Sequence, residues 1–460
     1  MPPVRSDSQP APFWSSRIAF YLSAVGAAVG LGSIWRFPFL AGTSGGSAFI
    51  FVFILACLLI ATPLLAAEFI IGRRARRSPP QAAGVVAEAS GLSKRWNVIG
   101  VLGTIATFMI MSYYSVIAGW VLAYTWKTAN GMLVGLDREQ VAGLWRGFLA
   151  NPWEIGAWHV VFLGLVALIS ARGVNKGIEI ANKIRAPALL LLLLILVAYS
   201  LATGDVRRGL SFAFAPNFAA ITPQVVLAAI GQAFYATGVG MAMMIAYGAY
   251  VAPGTSLVRT SLIISGSILL VSMLATLMIF PLVFRYGMNP AQGAELVFDV
   301  LATVFAEMPG GRLIGSLFFL LLVFAALTPS LAGIEPLVAW LQQRGGLSRA
   351  KAVAVTIAAC WVVGIGSVLS FSVWADWRPL GRVPVFADMT FFSVVDYVSS
   401  NVLLLIGAFF TSLFVGWRIS RAIVAEELSE TSPLGRRIAV WSLRYLCPLA
   451  IAAVFASTLA

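Results

Sequence analysis

Two glycine-rich interruptions inside long apolar segments are the features of this sequence best suited to chemistry. The first, GAAVGLGSIWRFP, runs from Gly26 to Pro38, and the second, GQAFYATGVG, from Gly231 to Gly240. Glycine weakens a helix, and in hydrocarbon every backbone N–H and C=O that an unwound helix releases must find another partner. Half-helix N-termini attract a carboxylate, and released carbonyl groups attract cations. The breaks therefore indicate a binding site at membrane depth.

Composition places the chain in a membrane. It has 460 residues, 60% hydrophobic and only 11% charged, with a mean hydropathy of +0.92, and a soluble protein of this length could not bury so much apolar surface. There is no pattern of alternating strands, so we expect an all-α polytopic membrane protein surrounded by the lipid bilayer. The net charge of +13 indicates basic cytoplasmic loops and no nucleic-acid partner. The three scattered cysteines predict neither a disulfide framework nor a metal site.

Eleven apolar segments are long enough to cross a bilayer, and we number them as spans in chain order. Lys and Arg concentrate in the even-numbered loops, as in GRRARR at 72–77. This bias predicts a cytoplasmic N-terminal segment at 1–17, an external C-terminus and a location in the inner (plasma) membrane. The predicted spans are 18–40, 46–71, 97–126, 157–173, 183–203, 222–250, 258–285, 312–341, 350–372, 389–416 and 437–458.

The two interruptions fall at matching places in the chain. Span 1 carries the first and span 6 the second, and each opens a set of five spans, residues 18–203 and 222–416. Because five is odd, the two halves have opposite topology, as in inverted-repeat transporters. The second half includes a predicted outer hairpin at 286–311, and span 11 at 437–458 follows the repeat. Close helix packing alone explains one such break equally well, but two matching breaks favour a transport site.

These motifs resemble the neurotransmitter:sodium symporter family, in its bacterial eleven-span form. GAAVGLGSIWRFP resembles the family's signature in span 1, and GQAFYATGVG its span 6. The resemblance implies a five-plus-five inverted-repeat fold with broken first and sixth spans, alternating access, and sodium-coupled uptake of an amino acid. Further segments match in the same order: TPLLAAEFIIGR at 62–73, the pair Tyr113-Tyr114, GIEIANKIRAP at 177–187 with its Gly-x9-Pro spacing, FAALTPSLAGIEP at 324–336, and DYVSSNVLLLIG at 396–407.

The resemblance also implies a small-molecule substrate site at the two breaks. Tyr114 would offer its hydroxyl to a substrate carboxylate, together with the backbone N–H groups of Leu31 and Gly32. Gly30 stands where amine transporters place an aspartate, which fits a substrate that brings its own carboxylate. Small residues in the side-chain pocket favour a bulky apolar or aromatic substrate. The carbonyls implied for the ammonium are those of Ala28, Tyr235 and Ala236, and the side-chain pocket comprises Ile110, Tyr235, Gly238, Met241, Pro329 and Gly333.

Gates are implied on both sides of this site. Arg36 and Asp396 match the family's outer pair, and an arginine at that depth needs a carboxylate because an unpaired charge there is costly. At the inner gate, Ala11 replaces the family's arginine before Trp14, and Gln343 replaces its aspartate. Both partners are missing together, so we expect a changed inner closure.

Ion binding is where the sequence departs most from the family. The first sodium site is degraded, because Ser33 replaces a side-chain amide and Ala236 a threonine, beside the remaining carbonyl of Ala28. The second site keeps the hydroxyl of Thr328, but Pro329 replaces a second hydroxyl. We therefore expect Na+ as the coupling ion, through the second site, and no other metal or cofactor. The surviving ligands of the second site are Gly26, Val29, Ala325 and Thr328.

Arg185 raises an alternative function. It lies two residues before Pro187 in a span that flanks the second sodium position. Its fixed charge could replace sodium in a sodium-independent amino-acid exchanger or uniporter on the same fold. The competing interpretation is that Arg185 snorkels to the cytoplasmic interface. A third function, a non-transporting membrane receptor or partner subunit, is disfavoured by the intact breaks and outer gate.

Other polar residues in the spans receive simpler interpretations. His159, the only histidine, begins span 4 beside Trp158 and is predicted to be an interfacial anchor. Glu68 is predicted to be a buried polar clamp near span 6, and Glu335 an acid at an inward-facing helix end. One histidine cannot build a hydrolytic triad, and no Walker, Rossmann or zinc motif occurs, so we do not expect an enzyme.

Overall fold

The fold is helical throughout. The structure, a computed structural model, describes residues 14–289 and 297–459, and every regular element in these ranges is an α-, 3₁₀- or π-helix. Nine helices within them are long and apolar enough to cross a membrane, and they correspond to spans 2–5 and 7–11. These helices are Ser47–Ala75, Lys94–Ala129, Pro152–Ser170, Val174–Thr203, Leu257–Arg285, Gly311–Gly345, Arg349–Ser370, Phe391–Arg418 and Pro433–Thr458.

The two remaining spans are broken where the glycines predict a break. Span 1 consists of Arg17–Ala28 and Gly32–Thr43, which are bent by 52° relative to each other. Span 6 consists of Pro223–Thr237 and Met243–Gly248, joined by the non-helical residues 238–242. With these two, all the predicted spans are found in the described part of the chain, and the predicted fold class is confirmed.

The break in span 6 holds its backbone in the left-handed region. Gly238 and Gly240 have φ angles of 65° and 86°, and Ala242, which starts the inner half-helix, has a φ angle of 56°. Glycine adopts this region freely, whereas a residue with a side chain is strained there by about 1–3 kcal/mol. Span 3 comes close at this point, because a Cβ built on Gly103 would lie 2.7 Å from the Cβ of Ala242.

Replacing Ala242 by glycine should stabilise the protein by about 0.5–1 kcal/mol. The substitution removes the backbone strain, and the greater freedom of glycine in the unfolded chain offsets only part of that gain. The thermal midpoint in detergent should therefore rise, whereas the control Ala246→Gly, in the helical part of the same span, should lower it. A lower midpoint for Ala242→Gly would show that the contact with span 3 outweighs the backbone strain.

Spans 4 and 5 begin earlier than predicted. Span 4 starts at Pro152, because the side chain of Asn151 caps its first turn and proline suits the first helical position. Span 5 starts at Val174 with a π-helical turn, so that Lys183, where the predicted span begins, lies well inside the helix. Counting apolar residues misses such starts because polar and charged residues in the first turns of a helix do not belong to the apolar run.

The even-numbered loops meet at one end of the bundle. Arg73, in the last turn of span 2, pairs with Glu427, after span 10, at 2.6 Å and donates to the carbonyl of Thr255, after span 6, at 2.7 Å. Arg349, at the start of span 9, donates to the carbonyl of Ser170, at the end of span 4, at 2.9 Å. Even-numbered loops lie at the same end when consecutive spans cross a membrane in opposite directions.

Short helices lie between the spans. Of the predicted outer hairpin at 286–311, residues 290–296 fall outside the described residues, and the rest contains one helix, Val300–Glu307. The other short helices include Pro79–Glu88, Arg138–Leu149, Val206–Phe214 and Arg421–Glu427.

Candidate substrate and ion site

Side chains from other spans fasten the two breaks. Gln232, in span 6, donates from Nε2 to the carbonyl of Gly32 in span 1 at 2.7 Å. The carboxylate of Glu68, in span 2, accepts the N–H of Gly240 at 2.7 Å, which confirms its predicted part as a polar clamp. The bond to Glu68 satisfies a backbone N–H in the non-helical stretch of span 6, and the carbonyl of Gly32 accepts the N–H of Phe37 as well as the Gln232 side chain. The broken geometry is therefore held by the surrounding structure.

A small cavity lies between the breaks. Its volume is about 40 Å³, and spans 1, 3, 6 and 8 supply its walls. The predicted substrate residues are thus brought together from distant parts of the sequence, with the exception of Gly333. Those that line the cavity are Ala28, Gly30, Leu31, Gly32, Ile110, Tyr114, Tyr235, Ala236, Gly238, Met241 and Pro329.

Methionines supply wall positions that sequence reasoning missed. Met111 and Met243 line the cavity together with the predicted Met241, as does Ala27. A Cβ built on Gly333 would lie 2.6 Å from the sulfur of Met111, so Met111 fills the space that Gly333 was expected to leave open. The only signal for Met111 was its position directly after Ile110. Thioether side chains are flexible and polarizable, so this wall adapts to bulky apolar groups.

The hydroxyl of Tyr114 is buried at this cavity without a partner. Tyr114 is only 6% exposed, and its hydroxyl forms no hydrogen bond within the described residues. It faces the break in span 1, because a Cβ built on Gly30 would lie 3.5 Å from this hydroxyl and 2.9 Å from Cγ of Pro329. A buried hydroxyl is costly unless a ligand pairs with it. The same crowding leaves little room for an acidic side chain in place of Gly30.

A second, larger cavity lies on the side away from the even-numbered loops. Its volume is about 240 Å³, and it shares Leu31, Gly32, Tyr114 and Tyr235 with the inner cavity. The guanidinium of Arg36 stacks on the Tyr235 ring, 4.1 Å from its centroid, and this cation–π contact holds the ring where the two cavities meet. Tyr235 therefore lies between the outer cavity and the inner one.

The predicted outer-gate residues line the outer cavity without touching each other. Asp396 accepts hydrogen bonds from the hydroxyls of Tyr113 at 2.7 Å and Ser400 at 3.1 Å. None of the ion pairs among the described residues joins it to Arg36. The two charges thus face one open cavity, and a direct pair between them would close it.

Spans 1 and 8 touch at the position predicted for the second sodium ion. A Cβ built on Gly26 would meet the methyl group of Thr328 and lie 3.7 Å from its Cβ, and one built on Gly30 would lie 3.5 Å from the carbonyl oxygen of Ala325. The Thr328 hydroxyl donates within its own helix at 2.9 Å, which leaves its lone pairs able to bind a cation. Val29 ends the first half-helix with extended backbone. These oxygen donors suit a hard cation such as Na+.

The first sodium position offers less. The hydroxyl of Ser33 is fully buried and has no partner within the described residues. Ala236 lines the cavity but has no side-chain oxygen, and the amide that the family places at Ser33 would reach further than a hydroxyl. The degraded first sodium site stays a prediction.

Arg185 is buried in span 5. It is 7% exposed, and it donates from Nη2 to Oδ1 of Asn182 at 2.8 Å and from Nε to the carbonyl of Ala181 at 3.2 Å. Within the described residues, its Nη1 has no partner. Burial of the guanidinium argues against the snorkelling interpretation.

A polar cluster around Glu335 lies at the end of the bundle where the even-numbered loops meet, and sequence reasoning missed its partner Arg349. Glu335, fully buried in span 8, accepts two hydrogen bonds from Arg349 of span 9 at 2.9 and 2.8 Å. Tyr250, at the inner end of span 6, donates to Glu335 at 3.1 Å. Trp14 donates its backbone N–H to the carbonyl of Tyr250 at 3.1 Å, and its ring packs on those of Tyr247 and Tyr250. Glu335 is thus more than a helix-end acid.

Of the two altered inner-gate positions, the structure describes only Gln343. Ala11 lies outside the described residues. Gln343 accepts the N–H of Ser78 at 2.7 Å, so it fastens the end of span 8 to the short helix that follows span 2.

The interfacial interpretation of His159 is wrong. The residue is fully buried, and its Nε2 lies 2.9 Å from the hydroxyl of Ser115 in span 3. Because span 4 begins at Pro152, His159 lies about two turns inside the helix and faces its neighbours.

Comparisons with known proteins agree with this architecture. The family model for the sodium:neurotransmitter symporter family matches residues 11–135 and 150–460. The uncharacterized sodium-dependent transporter YhdH of Bacillus subtilis is 37% identical over 445 residues, which are 96% of either chain. An uncharacterized sodium-dependent transporter of Haemophilus influenzae is 31% identical, over 97% of this chain and 98% of its own.

A solved structure extends the likeness to three dimensions. The crystal structure of MhsT in complex with L-phenylalanine matches with a TM-score of 0.88 at 37% identity, over 97% of this chain and all of that chain. The matched family consists of transporters and not of enzymes. The chain is a multi-pass membrane transporter, and it belongs to the sodium:neurotransmitter symporter family.

Proposed function

We propose that this transporter imports an amino acid by alternating access and that Na+, bound at the second sodium position, drives the uptake. The two halves at 18–203 and 222–416 would form the inverted repeats that enclose the site. The N-terminus would lie in the cytoplasm and the C-terminus outside the plasma membrane, because the even-numbered loops carry most of the basic residues.

The observation that carries the proposal is the unpartnered hydroxyl of Tyr114 at the break in span 1. The half-helix Gly32–Thr43 starts at the same point, and a helix N-terminus favours a negative group. A carboxylate placed there would accept from the hydroxyl and from free backbone N–H groups together. Gly30 carries no acid and leaves little room for one, so we assign the carboxylate to the substrate.

The side-chain pocket favours a bulky apolar or aromatic amino acid. Met111, Met241 and Met243 line the cavity beside Ile110, and flexible thioethers can move aside for a large apolar group. The cavity volume of about 40 Å³ is smaller than such a side chain, so binding has to displace these methionines or the Tyr235 ring. MhsT, at 37% identity, was solved with L-phenylalanine, which supports the same substrate class.

Thermal stability in detergent tests substrate and ion together. The purified protein would be heated in sodium, potassium or choline chloride with a panel of amino acids, because a ligand that binds only the folded state raises its stability. We expect sodium to raise the midpoint and large apolar amino acids to raise it further. Uptake into proteoliposomes with an inward sodium gradient then tests transport, and uptake that ignores the gradient would contradict sodium coupling.

A Tyr114→Phe variant should bind the substrate roughly 1–3 kcal/mol more weakly. The substitution removes only the hydroxyl, so the loss reports its bond to a charged carboxylate. Amino-acid affinity, measured from the stability shift at saturating sodium, gives the difference. Tyr113→Phe is the matched control, because that hydroxyl bonds to Asp396 instead, and equal affinities for the wild type and Tyr114→Phe would contradict the assignment.

A sodium-independent exchanger remains the second candidate, and the burial of Arg185 favours it. A guanidinium keeps its charge, and this one lies in span 5 with only neutral partners among the described residues. If Arg185 replaces sodium, amino acids should stabilise the protein equally in every salt, and Arg185→Ala should abolish exchange.

A further inference from the structure

Asn182 lies where the second sodium position is short of a ligand. A Cβ built on Gly26 would lie 3.9 Å from Cγ of Asn182 and 3.7 Å from Cβ of Thr328. Both side chains are buried, Asn182 completely and Thr328 with 3% exposed. Span 5 therefore places a side-chain amide against the same point of span 1 that the methyl group of Thr328 faces from span 8.

The amide of Asn182 offers an oxygen in place of the hydroxyl that is missing at Pro329. Proline supplies no side-chain oxygen, so the position retains the carbonyls of Gly26, Val29 and Ala325 and the hydroxyl of Thr328. Hard cations are bound by six or more oxygens in proteins, and amide oxygens are common among them. Within the described residues, Nδ2 of Asn182 forms no hydrogen bond, so a small rotation of this amide breaks no other side-chain contact than the one with Arg185.

Arg185 occupies the oxygen that a cation would need. Its Nη2 donates to Oδ1 of Asn182 at 2.8 Å, and its Nη1 has no partner in the described part of the chain. A guanidinium and a sodium ion that share one neutral oxygen repel each other in a setting of low polarity.

We propose that Asn182 Oδ1 is an additional sodium ligand and that Arg185 competes with the ion for it. This inference rests on the proposed sodium coupling and adds to it a residue that sets the affinity. Without sodium, Arg185 holds the amide oxygen. When sodium binds, the oxygen turns to the ion and Arg185 keeps its backbone contact with Ala181. The competition weakens sodium binding and returns the amide to Arg185 as the ion leaves.

The test is the thermal midpoint of the purified full chain as a function of sodium, with choline keeping the ionic strength constant. In Arg185→Gln, the sodium concentration for half-maximal stabilisation should fall at least about tenfold, because the competing charge is gone. In Asn182→Leu it should rise about tenfold, because an oxygen ligand is lost. Lys183→Gln removes the same charge from the same helix two residues away and should respond as the wild type does.

A folding failure of Asn182→Leu would not decide the matter, because that change leaves Arg185 buried without its partner. The double variant Asn182→Leu/Arg185→Met buries no unpaired charge, and it should need more sodium than Arg185→Gln alone.

The outcomes separate this inference from the proposed function. A sodium response that is lost in Thr328→Val but unchanged in the Asn182 and Arg185 variants overturns the inference and leaves sodium coupling intact. A response that appears only in Arg185→Gln supports the competition and overturns sodium coupling in the wild type. If neither the wild type nor Arg185→Gln responds to sodium, both proposals are wrong.

Discussion

A Thr328→Val variant should require about tenfold to a hundredfold more sodium for half-maximal stabilisation, and its uptake should no longer depend on sodium at ordinary concentrations. Valine keeps the shape of threonine and removes the hydroxyl, which is the one side-chain oxygen that the second position inherits from the family pattern. The loss corresponds to about 1.5–3 kcal/mol, the usual contribution of a hydrogen-bonding group to a charged partner. Sodium titrations of the thermal midpoint measure it directly.

Two variants of span 8 make this result specific. Thr328→Ser retains the hydroxyl and should restore most of the sodium response. Ser330→Ala removes a buried hydroxyl two residues away, which donates within the helix at 2.8 Å, and should leave the response unchanged. A Thr328→Val protein that responds to sodium like the wild type would show that the ion binds elsewhere or not at all.

A Glu335→Gln variant should be destabilised by about 3 kcal/mol. Arg349 donates both of its terminal nitrogens to this carboxylate, and removing one member of a buried pair leaves the other charge without compensation. The thermal midpoint in detergent should fall clearly below that of Glu426→Gln. Glu426 pairs with Arg74 at 3.0 Å, but its side chain is 64% exposed, and exposed pairs contribute little.

The double variant Glu335→Gln/Arg349→Met distinguishes a charge effect from a packing effect. With both charges removed, most of the lost stability should return, because the penalty comes from the unpaired arginine. If the double variant is as unstable as Glu335→Gln, the penalty comes instead from the lost hydrogen bond of Tyr250 or from the altered packing.

The parts of the site that sequence reasoning predicted are those with a local physical cause. The glycines of both breaks mark backbone that cannot remain helical, whereas the role of Tyr114 in span 3 was implied only by the resemblance to the family. The cavity brings these residues together because spans 1 and 6 break at the same depth. The contact of Glu68 with span 6 was implied by the resemblance to the family, and its physical cause is that a buried acid in an apolar span needs a donor, which the Gly240 N–H supplies.

The parts that were missed depend on packing between spans. The Glu335 cluster joins residues from spans 6, 8 and 9, and nothing within any one segment indicates which partner the acid meets. Met111 of span 3 lines the pocket because Gly333 of span 8 has no side chain in its way. This contact between two helices cannot be predicted from either segment alone. His159 was predicted to lie at the membrane interface because the start of span 4 was predicted too late. The error in the helix boundary therefore also caused the error in the predicted surroundings of His159.

The inner cluster connects span 6 to spans 8 and 9 through an uncharged hydroxyl group, which bears on its sensitivity to dissolved salt. Glu335 and Arg349 lie in spans 8 and 9, so the bond that connects their pair to span 6 comes from the neutral hydroxyl of Tyr250. Movement of span 6 away from span 8 therefore breaks this hydrogen bond and leaves the ion pair formed. Dissolved salt screens exposed charges strongly and buried groups weakly. We therefore expect the separation of span 6 from span 8 at this hydrogen bond to depend little on ionic strength.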